Sequence, residues 1–151
     1  MEHMLHSPLG PLRMTESNGA VAALRFAAAG EKQGGSAPES GLSRRVQTWL
    51  DRYFAGERPA DELPLAPEGS AFQLSVWRAA RGIPYGETIS YGELARRVGC
   101  RSARAVGAAL GKNPVWILIP CHRVVGADGS LTGYAGGLDK KAALLTFEKS
   151  F

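Results

Sequence analysis

Hydrophobic and polar positions follow two different periodicities in the first third of the chain. Residues 5–27 are predicted to form strand, turn, strand, because a weakly alternating apolar run follows the hairpin signal Asn-Gly at 18–19. Over 42–55 the apolar residues recur at helical spacing, and Gly56 is expected to end this helix. The N-terminal part therefore predicts a small α/β lobe, with an antiparallel sheet and one helix.

The second half of the chain is predicted to be mainly helical. Ser70 can cap a helix over 71–81, and its expected apolar face consists of Phe72, Val76, Trp77 and Ala80. Ser90 can cap a second helix, with Glu93 three residues later completing a capping box. A third helix follows over 102–110, and the pair with its intervening Gly99 predicts a helix-turn-helix.

Two shorter segments and a boundary complete the predicted organisation. The run 115–119 is apolar and partly β-branched, which favours a buried strand or extended segment, and 140–148 predicts a last short helix. Segment 58–69 is rich in proline and acidic residues and is the predicted linker. We therefore expect an N-terminal lobe over 1–66 and a C-terminal lobe over 67–151.

Composition and charge narrow the classes of function. The chain of 151 residues is 44% hydrophobic and has no apolar run of about 20 residues, so we expect no membrane span. Its first residues, MEHMLHSPLG, lack a basic region followed by an apolar one, so we expect no secretory signal. Its two cysteines are then expected to remain thiols. Residues 1–69 carry 7 Lys/Arg against 9 Asp/Glu, whereas residues 70–151 carry 11 against 5. The basic second half is typical of a protein that meets a polyanion, although a solvated basic face would have the same charge.

The predicted third helix combines small residues with a single long cation. Small residues, Ala103, Ala105 and Gly107 among them, surround the long cation Arg104. Small side chains let a helix approach a surface closely, and one arginine could then reach between base pairs or along a phosphate track. A tightly packed core helix with one surface arginine is the alternative interpretation.

The sequence IPCHRV places a thiol beside an imidazole and a guanidinium. A thiolate is the nucleophilic form of cysteine, and basic neighbours such as His122 and Arg123 are expected to lower the pKa of the Cys121 thiol. A carboxylate, with Glu148 as candidate, could orient the imidazole. A buried free cysteine beside a surface histidine remains the alternative, and three histidines without metal-ligand spacing disfavour a zinc site.

Three longer stretches go beyond these general patterns. FQLSVWRAARGIPYGETISYGELARRVG, SARAVGAALGKNPVWILIPCHRVV and GSLTGYAGGLDKKAALLTFE together resemble the O6-alkylguanine-DNA alkyltransferase family over residues 70–148. The resemblance implies irreversible transfer of an alkyl group from O6 of guanine, and more variably from O4 of thymine, to one cysteine of the protein. It also implies duplex DNA as partner, minor-groove binding with base flipping, no cofactor, and action as a monomer in the cytoplasm, or in the nucleus of a eukaryote.

The resemblance also implies a fold and a set of catalytic roles. The N-terminal lobe would be RNase H-like and the C-terminal lobe would carry the helix-turn-helix. Cys121 would accept the alkyl group, His122 would take its proton through water, and Glu148 would polarise the imidazole. Asn113 would tie the active-site turn to the helical lobe, and Tyr91 would rotate a phosphate and protonate the departing guanine.

Further residues are implied to contact DNA or to line the alkyl pocket. Arg104 would fill the gap left by the flipped base. The other implied DNA contacts are Tyr91, Ala103, Ala105, Gly107 and Arg123, and the implied pocket residues are Trp116, Val124, Tyr134, Ala135 and Gly136. Trp116 stands where the family often has proline, which puts tolerance of bulky alkyl groups in question.

Three rival functions fit the sequence less well. Non-catalytic alkyltransferase-like proteins carry tryptophan at the position of Cys121. A plain helix-turn-helix regulator would leave Cys121, His122 and Glu148 unexplained and would read base edges with polar side chains. A cysteine hydrolase would turn over repeatedly, whereas this protein is expected to stop after one equivalent.

Overall fold

The computed structural model describes residues 1–28, 39–60, 62–129 and 137–149. The chain divides into two compact units, Met1–Pro67 and Glu68–Phe151. The boundary falls inside the proline-rich segment 58–69. Within the described residues, the helices are too short or too polar to cross a bilayer.

The N-terminal unit contains a three-stranded antiparallel sheet. Strands β1 (Glu2–Leu5), β2 (Leu12–Ser17) and β3 (Ala20–Phe26) follow one another in the order β1-β2-β3. The sheet therefore begins ahead of the predicted range 5–27. Asn18 and Gly19 turn from β2 to β3 with φ of 52° and 77°, because a two-residue hairpin turn that follows the twist of the strands needs positive φ at both positions.

The N-terminal unit also contains helix α1, and part of the predicted linker bonds to strand β3. Helix α1 spans Gly41–Phe54 and is capped by Ser40, and it buries Leu42, Val46, Leu50 and Tyr53. Beyond α1, the Val21 N–H donates to Pro64 O and the Ala66 N–H donates to Val21 O, each at 2.8 Å. Part of segment 58–69 therefore extends the sheet edge instead of forming a free linker.

The C-terminal unit is mainly helical, as the sequence indicates. Its helices are α2 (Ala71–Arg81), α3 (Tyr91–Arg97), α4 (Ala103–Gly111) and α5 (Leu138–Lys149), and a 3₁₀ turn spans Cys121–Arg123. Two-residue strands β4 (Ile89–Ser90) and β5 (Val124–Val125) pair in parallel. This pairing attaches the segment that follows Cys121 to the segment that leads into α3.

Helix α2 has its predicted limits and its predicted cap. Ser70 and Gln73 form a reciprocal capping box. Trp77 Nε1 donates to Ala109 O at 2.8 Å, which fastens α2 to α4. Gly69 is required here because a Cβ on it would lie 2.6 Å from the Trp77 ring. The prediction that Phe72 lies on the buried face is wrong, since 37% of it is exposed.

Helices α3 and α4 are joined by a short turn at Gly99, whose φ is 73°. Ser90 Oγ accepts from the Glu93 N–H at 3.0 Å, but the predicted capping box is incomplete. The Glu93 carboxylate instead accepts from Arg96 and Arg97 on the next turn of α3. Helix α4 starts one residue after Ser102, its cap, and continues through Gly111.

Candidate active site around Cys121

The segment before Cys121 is a series of turns, so the predicted strand over 115–119 is wrong. The Ile119 N–H donates to Val115 O at 3.1 Å, and the Leu118 N–H donates to Trp116 O at 2.7 Å. Ile117 takes a φ of 69°, which is strained for a β-branched residue. The prediction of burial holds for Val115, Ile117 and Ile119, at most 2% exposed. Burial alone therefore does not distinguish a strand from a coiled turn.

The side chain of Asn113 organises these turns. Its Oδ1 accepts from the Val115 N–H at 2.9 Å, and its Nδ2 donates to Ile119 O at 3.2 Å. The same Nδ2 donates to Cys121 Sγ at 2.8 Å. Asn113 is 2% exposed, so these bonds form without competition from water. One amide thus fixes both the turn and the sulfur atom that follows it.

Burial governs the titration of Cys121, which is 4% exposed. Burial raises the pKa of the Cys121 thiol to about 11, while the Asn113 hydrogen bond and the charge of Lys141 act to lower it. The prediction that basic neighbours give this thiol a low pKa is therefore wrong, because burial outweighs them. At neutral pH the group is a thiol, and a nucleophilic thiolate requires a base to remove its proton.

His122 and Glu148 form a buried pair that can act as this base. Nε2 of His122 lies 2.6 Å from Glu148 Oε2. Burial lowers the pKa of His122, although hydrogen bonding and charge from Glu148 oppose the shift. Burial would raise the pKa of Glu148, but hydrogen bonds from His122 and Arg123 lower it further than burial raises it. A neutral imidazole therefore donates Nε2–H to an ionised carboxylate, which leaves Nδ1 as the basic nitrogen.

Arg123 is held inside the C-terminal unit and is 8% exposed. Its Nε and Nη2 donate to the two carboxylate oxygens of Glu148 at 2.8 and 2.9 Å. Its Nη1 donates to Ile83 O at 2.7 Å, and its guanidinium carbon lies 5.6 Å from the Tyr85 ring centroid. The assignment of Arg123 to the DNA contacts is therefore corrected: its guanidinium holds Glu148 in place.

Lys141 belongs to this site and was missed by the sequence analysis. It is 0% exposed, and its Nζ donates to Tyr91 Oη at 3.3 Å while lying 5.5 Å from the ring centroid. A signal was present in the sequence. The buried residues of α5 recur as i, i+3, i+4 and i+7 and are Lys141, Leu144, Leu145 and Glu148. A lysine inside a buried stripe marks an unusual environment.

The outer face of α4 carries the predicted small residues. Ala103 and Arg104 are exposed, and Ala105 and Gly107 are half-buried. Tyr91, at the start of α3, lies against this face, because a Cβ on Gly107 would be 3.7 Å from its ring. Arg104 is therefore the one long side chain among the small residues named on this face, and the Tyr91 ring borders it.

The implied pocket residues have different surroundings. Trp116 is half-buried, and its Nε1 donates to Asn113 O at 2.9 Å, which attaches the indole to the active-site turn. Val124 is 0% exposed and pairs with Ile89 in the short parallel sheet. Three further predicted residues, Tyr134, Ala135 and Gly136, lie outside the described residues.

Metal chemistry has no ligand set in the part of the chain that the structure describes. No three His, Cys, Asp or Glu side chains come together there as candidate ligands. The polar groups around Cys121 are instead paired with one another. They suit the generation of a thiolate and the transfer of a proton.

Comparison with known proteins identifies the family of this chain. Residues 71–150 match the family model described as 6-O-methylguanine DNA methyltransferase, DNA binding domain. The chain is 43% identical to a methylated-DNA–protein-cysteine methyltransferase of Methanosarcina acetivorans, over 97% of each chain. It is 44% identical to the Mycobacterium tuberculosis protein of the same name, over 97% of this chain and 90% of the relative.

Solved structures agree with the sequence relatives. Mycobacterium tuberculosis OGT in complex with DNA superposes with a TM-score of 0.88 at 43% identity. The similarity covers 99% of this chain and 92% of that chain. Both units of the fold therefore have a counterpart in a protein that has been seen bound to DNA.

Proposed function

The chain belongs to the family of methylated-DNA–protein-cysteine methyltransferases, and on this basis we propose that it repairs O6-alkylguanine in duplex DNA by moving the alkyl group to Sγ of Cys121. The observation that carries the proposal is the buried thiol held at 2.8 Å by Asn113, in the residue adjacent to the His122–Glu148 pair. Similar transfer from O4-alkylthymine is a finer proposal for the same site.

The proposed step exchanges one bond to the alkyl carbon for another. The Sγ–C bond forms as the O6–C bond of guanine breaks, and the thiol proton passes to His122 through a water molecule. Glu148, held ionised by Arg123, stabilises the imidazolium that results. The product is a thioether without a leaving group that water can displace, so each molecule reacts once.

Tyr91 and Lys141 are proposed to act on the departing base. Lys141 Nζ donates to Tyr91 Oη, so the phenol oxygen is an acceptor toward the lysine and its own proton points elsewhere. Tyr91 is thereby prepared to protonate the guanine that leaves.

Helices α3 and α4 are proposed to form a helix-turn-helix that presents α4 to the minor groove. The small residues on the outer face of α4 support this assignment, since they permit close approach of the backbone to the duplex. Arg104 would then occupy the stack left by a flipped alkylated base, and the weak pairing of such a base lowers the cost of extruding it. We further propose that the N-terminal unit is RNase H-like. We also propose that the protein acts as a monomer in the cytoplasm, or in the nucleus of a eukaryote.

The proposal is tested by the intact mass of the protein after incubation with a duplex that contains O6-methylguanine. A gain of one methylene unit per molecule, with no further gain on longer incubation, is expected. Binding of the damaged duplex without a gain in mass would instead place the chain with non-catalytic damage sensors.

Replacing Arg104 with alanine is expected to slow repair of duplex DNA roughly 10-fold. The reason is the loss of about 1–2 kcal/mol of stacking and cation–π interaction in the vacated base position. Reaction with free O6-benzylguanine, which needs no base flipping, should be unchanged. Arg81→Ala removes one exposed positive charge from the same unit and serves as control. An equal loss with both substrates would contradict the role of Arg104.

Replacing Asn113 with alanine is expected to shift the pH profile of alkyl transfer to higher pH. The Asn113 hydrogen bond lowers the pKa of the Cys121 thiol, so its removal raises that pKa and reduces the thiolate fraction at neutral pH. The rate with free O6-benzylguanine should be measured between pH 6 and pH 10. The control is Trp116→Phe, which removes the bond to the main-chain O of Asn113 and keeps the Asn113 side-chain amide. Its pH profile should match that of the wild type. An unshifted profile would show that the amide does not tune the thiol.

A further inference from the structure

A concave basic surface lies on the outer side of α1, in the N-terminal unit. It encloses about 300 Å³ and is lined by Arg44, Arg45, Arg52, Thr48, Trp49 and Pro59. We call this surface the α1 groove. The described residues that line it include three arginines and no acidic side chain, which makes it a candidate anion site.

The arginines follow one another along the helix. Arg44, Thr48 and Arg52 are four residues apart and so lie on one stripe, opposite the buried face of α1. From Arg44 to Arg52 the helix rises about 12 Å. Phosphates of one DNA strand follow each other at about 3.4 Å along the duplex axis. The stripe therefore matches several consecutive phosphates better than one isolated anion.

Within the described residues, the two arginines of this stripe, Arg44 and Arg52, have one carboxylate neighbour, and its interaction is weak. Glu39 approaches Arg44 at 4.0 Å, with both side chains more than 60% exposed, and such a pair contributes about 0–1 kcal/mol. Asp51, on the same helix, accepts from Gln47 Nε2 at 2.9 Å and does not line the groove. Residues 1–69 carry more acidic than basic residues, so the groove is a local concentration of positive charge on an otherwise acidic unit.

An aromatic pair forms part of the wall of the groove beside the arginines. Trp49 stacks on Tyr53 with ring centroids 5.3 Å apart and an interplanar angle of 11°, and Tyr53 is 1% exposed. Guanidinium groups bind phosphate through paired N–H donors, and a threonine hydroxyl can add a further hydrogen bond. The groove thus combines an aromatic wall with donors suited to phosphodiester oxygens.

We propose that the α1 groove binds the phosphodiester backbone of duplex DNA, as a contact separate from the alkyl-transfer site of the C-terminal unit. DNA is the polyanion that the proposed repair activity brings to the protein, and the spacing of the arginines fits its backbone. The contact does not involve the flipped base or Cys121. Binding at the groove is therefore independent of sequence and of damage.

The test is the salt dependence of binding to an undamaged duplex, measured by fluorescence anisotropy on the full chain. The variant Arg44→Gln/Arg52→Gln should bind more weakly, and the slope of log K against log salt should shrink by about 2, since each lost phosphate contact removes about 0.9. The control Arg25→Gln/Arg58→Gln removes the same charge from the same unit outside the groove. The variant Arg44→Lys/Arg52→Lys keeps the charge and should retain the slope.

The outcomes separate this inference from the proposed repair function. A slope that changes in the groove variant and not in the charge-matched control supports the groove. Equal slopes in the wild type and the groove variant, or equal loss in both glutamine variants, would overturn it. The thermal unfolding temperature reports folding in every variant. Because the binding assay uses undamaged DNA, failure of either proposal leaves the other standing.

Discussion

Cys121→Ala is expected to abolish the gain in mass that follows incubation with an O6-methylguanine duplex. Alanine has no atom that can form a bond to the alkyl carbon, so the loss is complete and is not a matter of rate. Binding to the damaged duplex should survive, because α4 and Arg104 are unchanged. Intact-protein mass spectrometry and anisotropy on the same samples measure both properties.

Cys100 provides the matched control for this experiment. It is the other cysteine of the chain and lies half-buried in the turn between α3 and α4. Its Sγ accepts from the Ser102 N–H at 3.4 Å. Cys100→Ala should retain the full gain in mass, since no imidazole–carboxylate pair among the described contacts serves this sulfur. A wild-type gain that disappears in Cys100→Ala and persists in Cys121→Ala would refute the assignment of the acceptor.

Glu148→Gln is expected to reduce both stability and alkyl transfer. The change leaves the guanidinium of Arg123 buried without its anion, and breaking a buried pair in this way costs about 3–5 kcal/mol. For a chain of this length the loss corresponds to a fall in Tm of roughly 10 °C. His122 also loses the carboxylate that stabilises its imidazolium, which should lower the rate about 100-fold. Calorimetry and single-turnover transfer from free O6-benzylguanine measure the two effects.

The stability that Glu148 contributes to the wild type should decrease in acid. The folded-state pKa of Glu148 is lowered, so its contribution to the free energy of unfolding is complete above the unfolded value of about 4.3 and is lost as pH falls below it. The difference in stability between wild type and Glu148→Gln should therefore be large at pH 6 and smaller at pH 3. Glu87→Gln, at an exposed carboxylate, should show no such difference.

A double variant separates the structural effect from the catalytic one. Arg123→Met/Glu148→Leu removes both charges of the pair, so the guanidinium is no longer buried without its anion and much of the stability should return. Alkyl transfer should stay low, because the imidazole still lacks its carboxylate. Recovery of transfer together with stability would mean that Glu148 acts by packing alone.

Local structure was predictable where neighbouring residues decide it. Ser70 precedes a helix whose limits, 71–81, agree with the prediction, because a cap and an apolar stripe depend on residues within one or two turns. Asn18 and Gly19 form the predicted hairpin turn for the same reason. The strand predicted over 115–119 failed because a side chain outside it, Asn113, supplies the hydrogen bonds that a partner strand would have supplied.

The placement of charged residues in the site was harder to predict. Arg123 looked available to DNA because its partners, Glu148 and the Ile83 carbonyl, lie 25 and 40 residues away in the chain. Lys141 looked like a solvated lysine on a short helix, although its spacing with the buried residues of α5 was visible. A sequence shows which groups can pair, whereas packing decides which pairs form.

The sequence by itself determined the reacting groups: a cysteine next to a histidine, an asparagine eight residues before it, and a carboxylate near the C-terminus, in a pattern specific enough to indicate the family. The tertiary structure decided how these groups titrate. It buries Cys121 so that its pKa rises to about 11, and it keeps Glu148 ionised through Arg123 and His122. The physical reason is that desolvation and charge pairing depend on distances between segments, and these exist only once the helices and turns have packed.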